Sequence, residues 1–152
     1  MKLGLLTAPF EDATLNEVAA WSGANGFSAL EIACWPDTGG EKRRYAGTSH
    51  INVDGLTLAH ASEIKGMLTE KSIEISALGY YPNPLHADRD CREQVITHLK
   101  KVITAASAMG VQVVNTFIGG NRKLTVDENW LHAQEIFAPV VAHARDLGVA
   151  LS

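Results

Sequence analysis

Short apolar runs alternate with longer segments in which apolar residues recur at helical spacing, and the alternation repeats four times along the chain. Lys2–Thr7 predicts a first strand. Thr14-Leu15-Asn16-Glu17 then has capping-box form, in which the Thr hydroxyl and the Glu carboxylate satisfy the first free N–H groups of a helix. That helix should reach Ala24 and stop at Asn25-Gly26. Phe27–Cys34 predicts strand two, and a long polar connection over Trp35–Thr57 leads to helix two at Leu58–Lys71. Strand three is expected at Ile73–Tyr81, stopped by Pro82 and Pro84, which cannot donate to a ladder. Val95, Leu99, Val102 and Ala106 mark a third helix over Asp90–Met109, and Val111–Phe117 reads as strand four. Thr125-Val126-Asp127-Glu128 repeats the capping box. Trp130, Ala133, Phe137, Val140, Ala144 and Leu147 share one face of the helix it opens. Pro139 should kink that helix, because its ring opposes the carbonyl of Glu135. Val149–Ser152 begins a fifth strand.

Strands separated by helices imply crossover connections and hence a parallel sheet. The expected fold is α/β, a partial (β/α)8 TIM barrel of four βα units plus the start of strand five, as one domain over residues 1–152. A complete eight-unit barrel takes about 250 residues. A doubly wound open sheet has the same order of elements. However, no GxGxxG follows the first strand and no GxxxxGK[ST] occurs, so its usual nucleotide-binding versions are unsupported.

Composition narrows the function classes. At 46% hydrophobic and 20% charged residues, the chain can bury a core. Its net charge of -4 offers nothing to nucleic acid or an anionic membrane. No apolar stretch reaches the roughly 18 residues of a membrane span, and no signal peptide precedes the first strand. Cys34 and Cys91 lack CxxC spacing, which disfavours a disulfide scaffold or a zinc site and fits a reducing cytoplasm.

In a parallel barrel the loops after the strands gather at one mouth. Those loops carry Pro9-Phe10-Glu11, Cys34-Trp35-Pro36, Tyr80 through His86, and Phe117 through Arg122. The candidate substrate-binding residues are Glu31, Trp35, His50, Tyr81, His86 and Phe117. Aromatic faces beside amide and imidazole groups suit a small polyhydroxylated ligand. Glu31 either contacts substrate or pairs with a basic residue between strand and helix, since an unpaired buried carboxylate is costly. His50 reads as a solvated loop residue or a ligand contact, and His86 the same. Trp35 either walls the pocket or caps the core. Tyr80 and Tyr81 alternate in direction, so at most one faces the pocket. Asn115 and Thr116 end strand four, and one of them can point inward. Gly119-Gly120 either lets a backbone N–H reach a phosphate or makes a tight turn, and Lys42-Arg43-Arg44 is a phosphate contact or a solvated face. His60, His98, His132 and His143 fall on helices and read as surface residues. Cys34 reads as a small buried hydrophobe. No histidine–carboxylate cluster shows metal-ligand spacing, and no GxSxG occurs.

Met1–Phe10, Ala29-Leu30-Glu31-Ile32-Ala33-Cys34-Trp35-Pro36, Arg44–Ile51, Ile75–Leu85 and Val113–Gly120 together resemble the sugar phosphate isomerase/epimerase family. This family lies within the xylose-isomerase-like barrel superfamily, which also holds inosose dehydratases and endonuclease IV. The resemblance covers the whole chain but half of a family member. It implies a barrel that binds one divalent ion (Mn, Mg, Co or Zn) through two Glu, one Asp and one His on the later strands, the first at the end of strand five. No metal ligand or catalytic residue therefore carries over to this chain, which is expected to be inactive alone. Its substrate would be a sugar or sugar phosphate. The extra histidines of endonuclease IV are missing from Tyr81-Pro82-Asn83 and Phe117-Ile118-Gly119, which disfavours an endonuclease. The other alternative is a non-catalytic half-barrel that binds a small polyol or dimerises through its open sheet edges.

Overall fold

The computed structural model describes residues 2–36 and 47–152. Five parallel strands form one sheet in chain order: β1 (Gly4–Leu6), β2 (Ala29–Ala33), β3 (Glu74–Gly79), β4 (Val113–Asn115) and β5 (Ala150–Leu151). Between them run α1 (Leu15–Ala24), α2 (Leu58–Glu70), α3 (Arg89–Met109) and α4 (Val126–Asp146). Each helix packs on the next, so all four cover the same face of the sheet. Strand order equal to chain order, with one helical layer, is the start of a closed barrel; a doubly wound sheet reverses direction and carries helices on both faces.

The core lies between sheet and helices. Leu30, Ile32, Leu78 and Val114 point outward from the strands onto Val18, Leu68, Leu99, Val102, Ile103 and Met109, all almost fully buried. Each such side chain contributes about 1.5–3 kcal/mol on leaving water. Both capping boxes form: Thr14 with Glu17 opens α1, and Thr125 with Glu128 opens α4. Each cap stabilises its helix by about 1 kcal/mol.

Several expectations need correction. β1 and β4 are shorter than Lys2–Thr7 and Val111–Phe117, because ladder pairing lasts only where neighbouring strands overlap. α3 begins at Arg89, one residue early, because Asp88 caps it by accepting from the Cys91 N–H at 2.9 Å. The second half of the long connection is packed rather than solvated. Ser49 bridges antiparallel to Cys34, Ile51 and Val53 are buried, and the Thr48 hydroxyl donates to the Ala8 carbonyl at 3.0 Å. Gly39-Gly40 and Lys42-Arg43-Arg44 lie outside the described residues. His98 is buried, not on the surface: its Nε2 lies 2.8 Å from the Cys34 carbonyl and its ring 4.6 Å from that of Tyr80.

Candidate functional site at the barrel mouth

The sheet face without helices is the barrel interior. Parallel pairing puts Leu6 beside Glu31, Glu31 beside Ala77, and Gly79 beside Asn115. The register shifts between Leu30 and Glu31, because Leu30 pairs with Ile75 but Glu31 with Ala77. Ser76 is the extra residue, and such a bulge re-aims the side chains that follow it. Glu31 on β2, Tyr81 just after β3 and Asn115 at the end of β4 then converge.

Glu31 does not pair with a basic residue, the structural contact weighed for it in the sequence. Its Oε1 accepts from the Tyr81 hydroxyl, and its Oε2 accepts from Asn115 Nδ2 at 2.8 Å. The partners are neutral donors on neighbouring strands, not a basic residue. Gly79 makes this crossing possible: a Cβ there would lie 2.6 Å from Glu31 Oε1 and 3.0 Å from the Tyr81 ring. Burial and then the Glu31 carboxylate push the Tyr81 phenol well above its ordinary range, so it stays a donor. Asn115 is thus the inward residue at the end of β4. Thr116 lines an outer groove with Ile118, Trp130 and Phe137.

Aromatic rings flank the cluster. Trp35 is 8% exposed and packs 5.7 Å from Tyr80 and 5.9 Å from Tyr81, so it caps the core and borders the site at once. Tyr80 is buried under α3, whereas Tyr81 faces the interior. Phe117, 58% exposed, lies 4.8 Å from Tyr81 and extends the wall outward.

The two candidate histidines sit elsewhere. His50 is half-buried, its Nε2 3.0 Å from the Ala13 carbonyl, which ties the connection after β2 to the start of α1. His86 is exposed at the start of α3, where its Nδ1 accepts from the Asp88 N–H at 3.1 Å. The hydrogen bonds found for the Glu31 carboxylate among the described residues go to Tyr81 and Asn115. His86, Asp88 and Cys91 do offer ligand atoms within 4.8 Å of one another, a grouping that sequence spacing did not reveal. All three are exposed, and Asp88 is already occupied by the helix cap and the Cys91 thiol.

Asn83 was not singled out in the sequence, yet it clasps two mouth loops together. Its Oδ1 accepts from the Gly120 N–H at 3.0 Å and from the Leu85 N–H at 3.0 Å, while its Nδ2 donates to the Gly120 carbonyl at 2.8 Å. Gly119, at φ +75°, passes so close that a Cβ would overlap Asn83 Oδ1. Gly119-Gly120 is therefore held in an intramolecular clasp, and the Gly120 N–H is not free for a phosphate.

The described residues of the Glu31 cluster do not fit a divalent ion. Such ions take several carboxylate or imidazole ligands. Among the described residues of the Glu31 cluster there is one carboxylate, with both oxygens engaged.

Residues 19–152 match the family model described as "Xylose isomerase-like TIM barrel". No curated protein matches the chain. Among solved structures, a D-psicose 3-epimerase from Clostridium cellulolyticum, determined with D-tagatose, aligns with TM-score 0.70 at 18% identity over 99% of this chain and 51% of its own. The IolI protein with a bound zinc atom aligns with TM-score 0.68 at 18% identity over 100% and 50%. A sugar phosphate isomerase/epimerase from Parabacteroides distasonis aligns with TM-score 0.64 at 17% identity over 99% and 49%. The chain spans about half the length of the structures it matches.

Proposed function

The chain belongs to the xylose isomerase-like TIM barrel family, and on that basis we propose that it forms the N-terminal half of a divalent-metal-dependent sugar or sugar phosphate isomerase/epimerase. The supporting observation is the interior cluster of Glu31, Tyr81 and Asn115 beside the rings of Trp35 and Phe117. Rigid aromatic faces next to fixed polar atoms suit a sugar, with its apolar ring faces and hydroxyl edges. In this reading the described residues bind and orient substrate and exclude water on one side. The ion and the acid–base groups come from residues outside them.

The test has two parts. The purified 152-residue chain, supplied with Mn, Mg, Co or Zn, is assayed for aldose–ketose isomerisation and ketohexose epimerisation; no turnover is expected. The native protein from its source is then weighed intact. A mass near twice 16.4 kDa, with metal-dependent turnover, supports the reading. Divalent-dependent turnover by the 152-residue chain overturns the assignment of the chemistry to other residues.

A second reading, a half-barrel that pairs with another chain, draws on the apolar edges. Leu3 and Trp21 are exposed beside β1, and Ile118, Trp130 and Val141 beside β5. Exposed strand edges with apolar flanks favour association. A discrete dimer in sedimentation, unchanged over a hundredfold dilution, would support it; a monomer would exclude it. Among the described residues no helix is long and apolar enough to cross a membrane.

A further inference from the structure

A cleft of about 710 Å3 lies on the helical side of the sheet, between the connection after β2, at Pro36 and Asp54, and the first half of α3. Small-molecule sites commonly enclose about 300–1,000 Å3. The cleft is separate from the Glu31 cluster: Tyr80 lines it, whereas Tyr81 turns to the barrel interior.

Two nearly buried polar residues line this cleft with unused atoms. Tyr80 is 3% exposed and His98 6%. Groups this deep normally have a partner. No hydrogen bond to the Tyr80 hydroxyl is found among the described residues, and none to His98 Nδ1. Neither atom is sealed off from solvent. The other ring nitrogen fixes the state of His98. Its Nε2 lies 2.8 Å from the Cys34 carbonyl, which can only accept, so Nε2 carries the hydrogen. Burial lowers the pKa of the ring and keeps it neutral, which leaves Nδ1 a bare lone pair. The Tyr80 and His98 rings lie with centroids 4.6 Å apart, so both unused groups belong to one part of the cleft.

The charge of the lining points the same way. Asp54, Asp90 and Glu93 line the cleft, and Lys101 is its one cation among the described residues. Lys101 Nζ is tied to Asp54 at 2.6 Å, and Glu93 accepts from Arg89 at 2.6 Å. No ion pair of Asp90 is found among the described residues. An ammonium group brings hydrogens for Nδ1 and for the Tyr80 oxygen, and positive charge for Asp90. A carboxylate or phosphate has no hydrogen for Nδ1 and meets an excess of negative charge. A neutral hydroxyl supplies the hydrogen without the charge.

We propose that this cleft binds a small organic amine in its ammonium form, with His98 Nδ1 and the Tyr80 oxygen accepting its hydrogens and Asp90 balancing its charge. The site goes beyond the sugar-enzyme reading and does not depend on it.

The test compares three probes that share a four-carbon chain and differ at its ends: putrescine, 1,4-butanediol and succinate. The 152-residue chain, labelled with 15N, is titrated with each at about 0.15 M salt, where charges more than about 8 Å apart are largely screened. The ring nitrogens of His98 are followed. Putrescine should shift the His98 Nδ1 signal with saturation. Butanediol should bind about tenfold more weakly, as expected when hydrogen bonds lose their charged donor, and succinate should not bind. Y80F keeps the ring and its packing, and should weaken putrescine binding about tenfold. D90N keeps the shape and removes the charge, and should weaken it about threefold. Backbone signals of α3 should stay in place in both variants. Succinate or butanediol binding as tightly as putrescine overturns the proposal. So does putrescine that leaves His98 Nδ1 unmoved. Putrescine that binds Y80F and D90N as it binds the parent also overturns it, because the amine would then sit on scattered surface carboxylates.

Discussion

Glu31 and Gly79 sit on adjacent strands, and the carboxylate occupies the space a side chain at residue 79 would need, since a Cβ there falls 2.6 Å from Oε1. G79A should therefore cost about 1–3 kcal/mol, the usual penalty for forcing atoms into a packed region. It should also detach Tyr81 from Glu31. Urea unfolding of G79A, E31A and the double variant reads the coupling. The double variant should lose less than the sum of the singles, because residues in contact are not additive. A strictly additive result would show that Glu31 can move aside freely.

N83A should loosen the mouth without unfolding the barrel. It leaves the Gly120 and Leu85 N–H groups without their acceptor, a loss of about 1–3 kcal/mol if neither finds water. Hydrogen exchange at Gly120 and Leu85 should accelerate, while Leu99 and Val102 in α3 stay protected. Unchanged exchange at Gly120 would mean that another group holds the loop.

Stability should depend on pH through His98. Burial, the main cause, lowers its pKa below the ordinary 6.5, against the raising effect of the Cys34 carbonyl and Asp54. Below 6.5 the unfolded chain takes up a proton that the folded chain refuses, so the contribution is present above 6.5 and is lost as pH falls toward the lower folded value. The slope for one proton is at most about 1.4 kcal/mol per pH unit. H98Q keeps a donor for the Cys34 carbonyl but does not titrate, so its unfolding free energy should be flatter than that of the parent between pH 5 and 7, about the range where an ordinary histidine changes charge. Parallel curves for the two proteins would refute this.

The two thiols should separate cleanly. Cys34 is fully buried, and burial alone pushes its thiol far up. Cys91 is exposed, its thiol raised chiefly by the hydrogen bond to Asp88. A disulfide reagent should modify one thiol in the folded chain, more slowly than it modifies a free peptide thiol, and two in denaturant. C91S should abolish the native reaction. Rapid labelling of Cys34 in the folded chain would show that the region under Trp35 opens easily.

The repeated strand–helix order was legible because apolar period and capping residues are local signals: Thr14 with Glu17 and Thr125 with Glu128 announce their helices within four residues. The parallel sheet followed from that order, whereas the half-barrel needed the family resemblance as well, because a doubly wound sheet has the same order of elements. Side-chain partners did not follow. Glu31 meets Asn115 across 84 positions of sequence, and nothing near Glu31 marks that donor. Gly79 inside strand three was the one available hint, since glycine in a strand often marks a close approach. His98 was misread because a single histidine on an amphipathic helix does not say which face carries it. Asn83 looked like an ordinary turn residue between two prolines.

Strand order that follows chain order also bears on how the molecule comes into being. Every strand pairs with the one made just before it, and each helix settles on its predecessor. No strand must wait for a distant segment to find its neighbour, so loop-closure entropy stays small at each step. Synthesis supplies the N-terminal end first, and β1–α1–β2 can dock while α3 and α4 are still being translated. The sheet can grow on the ribosome one unit at a time, with its newest edge always facing the chain still to come.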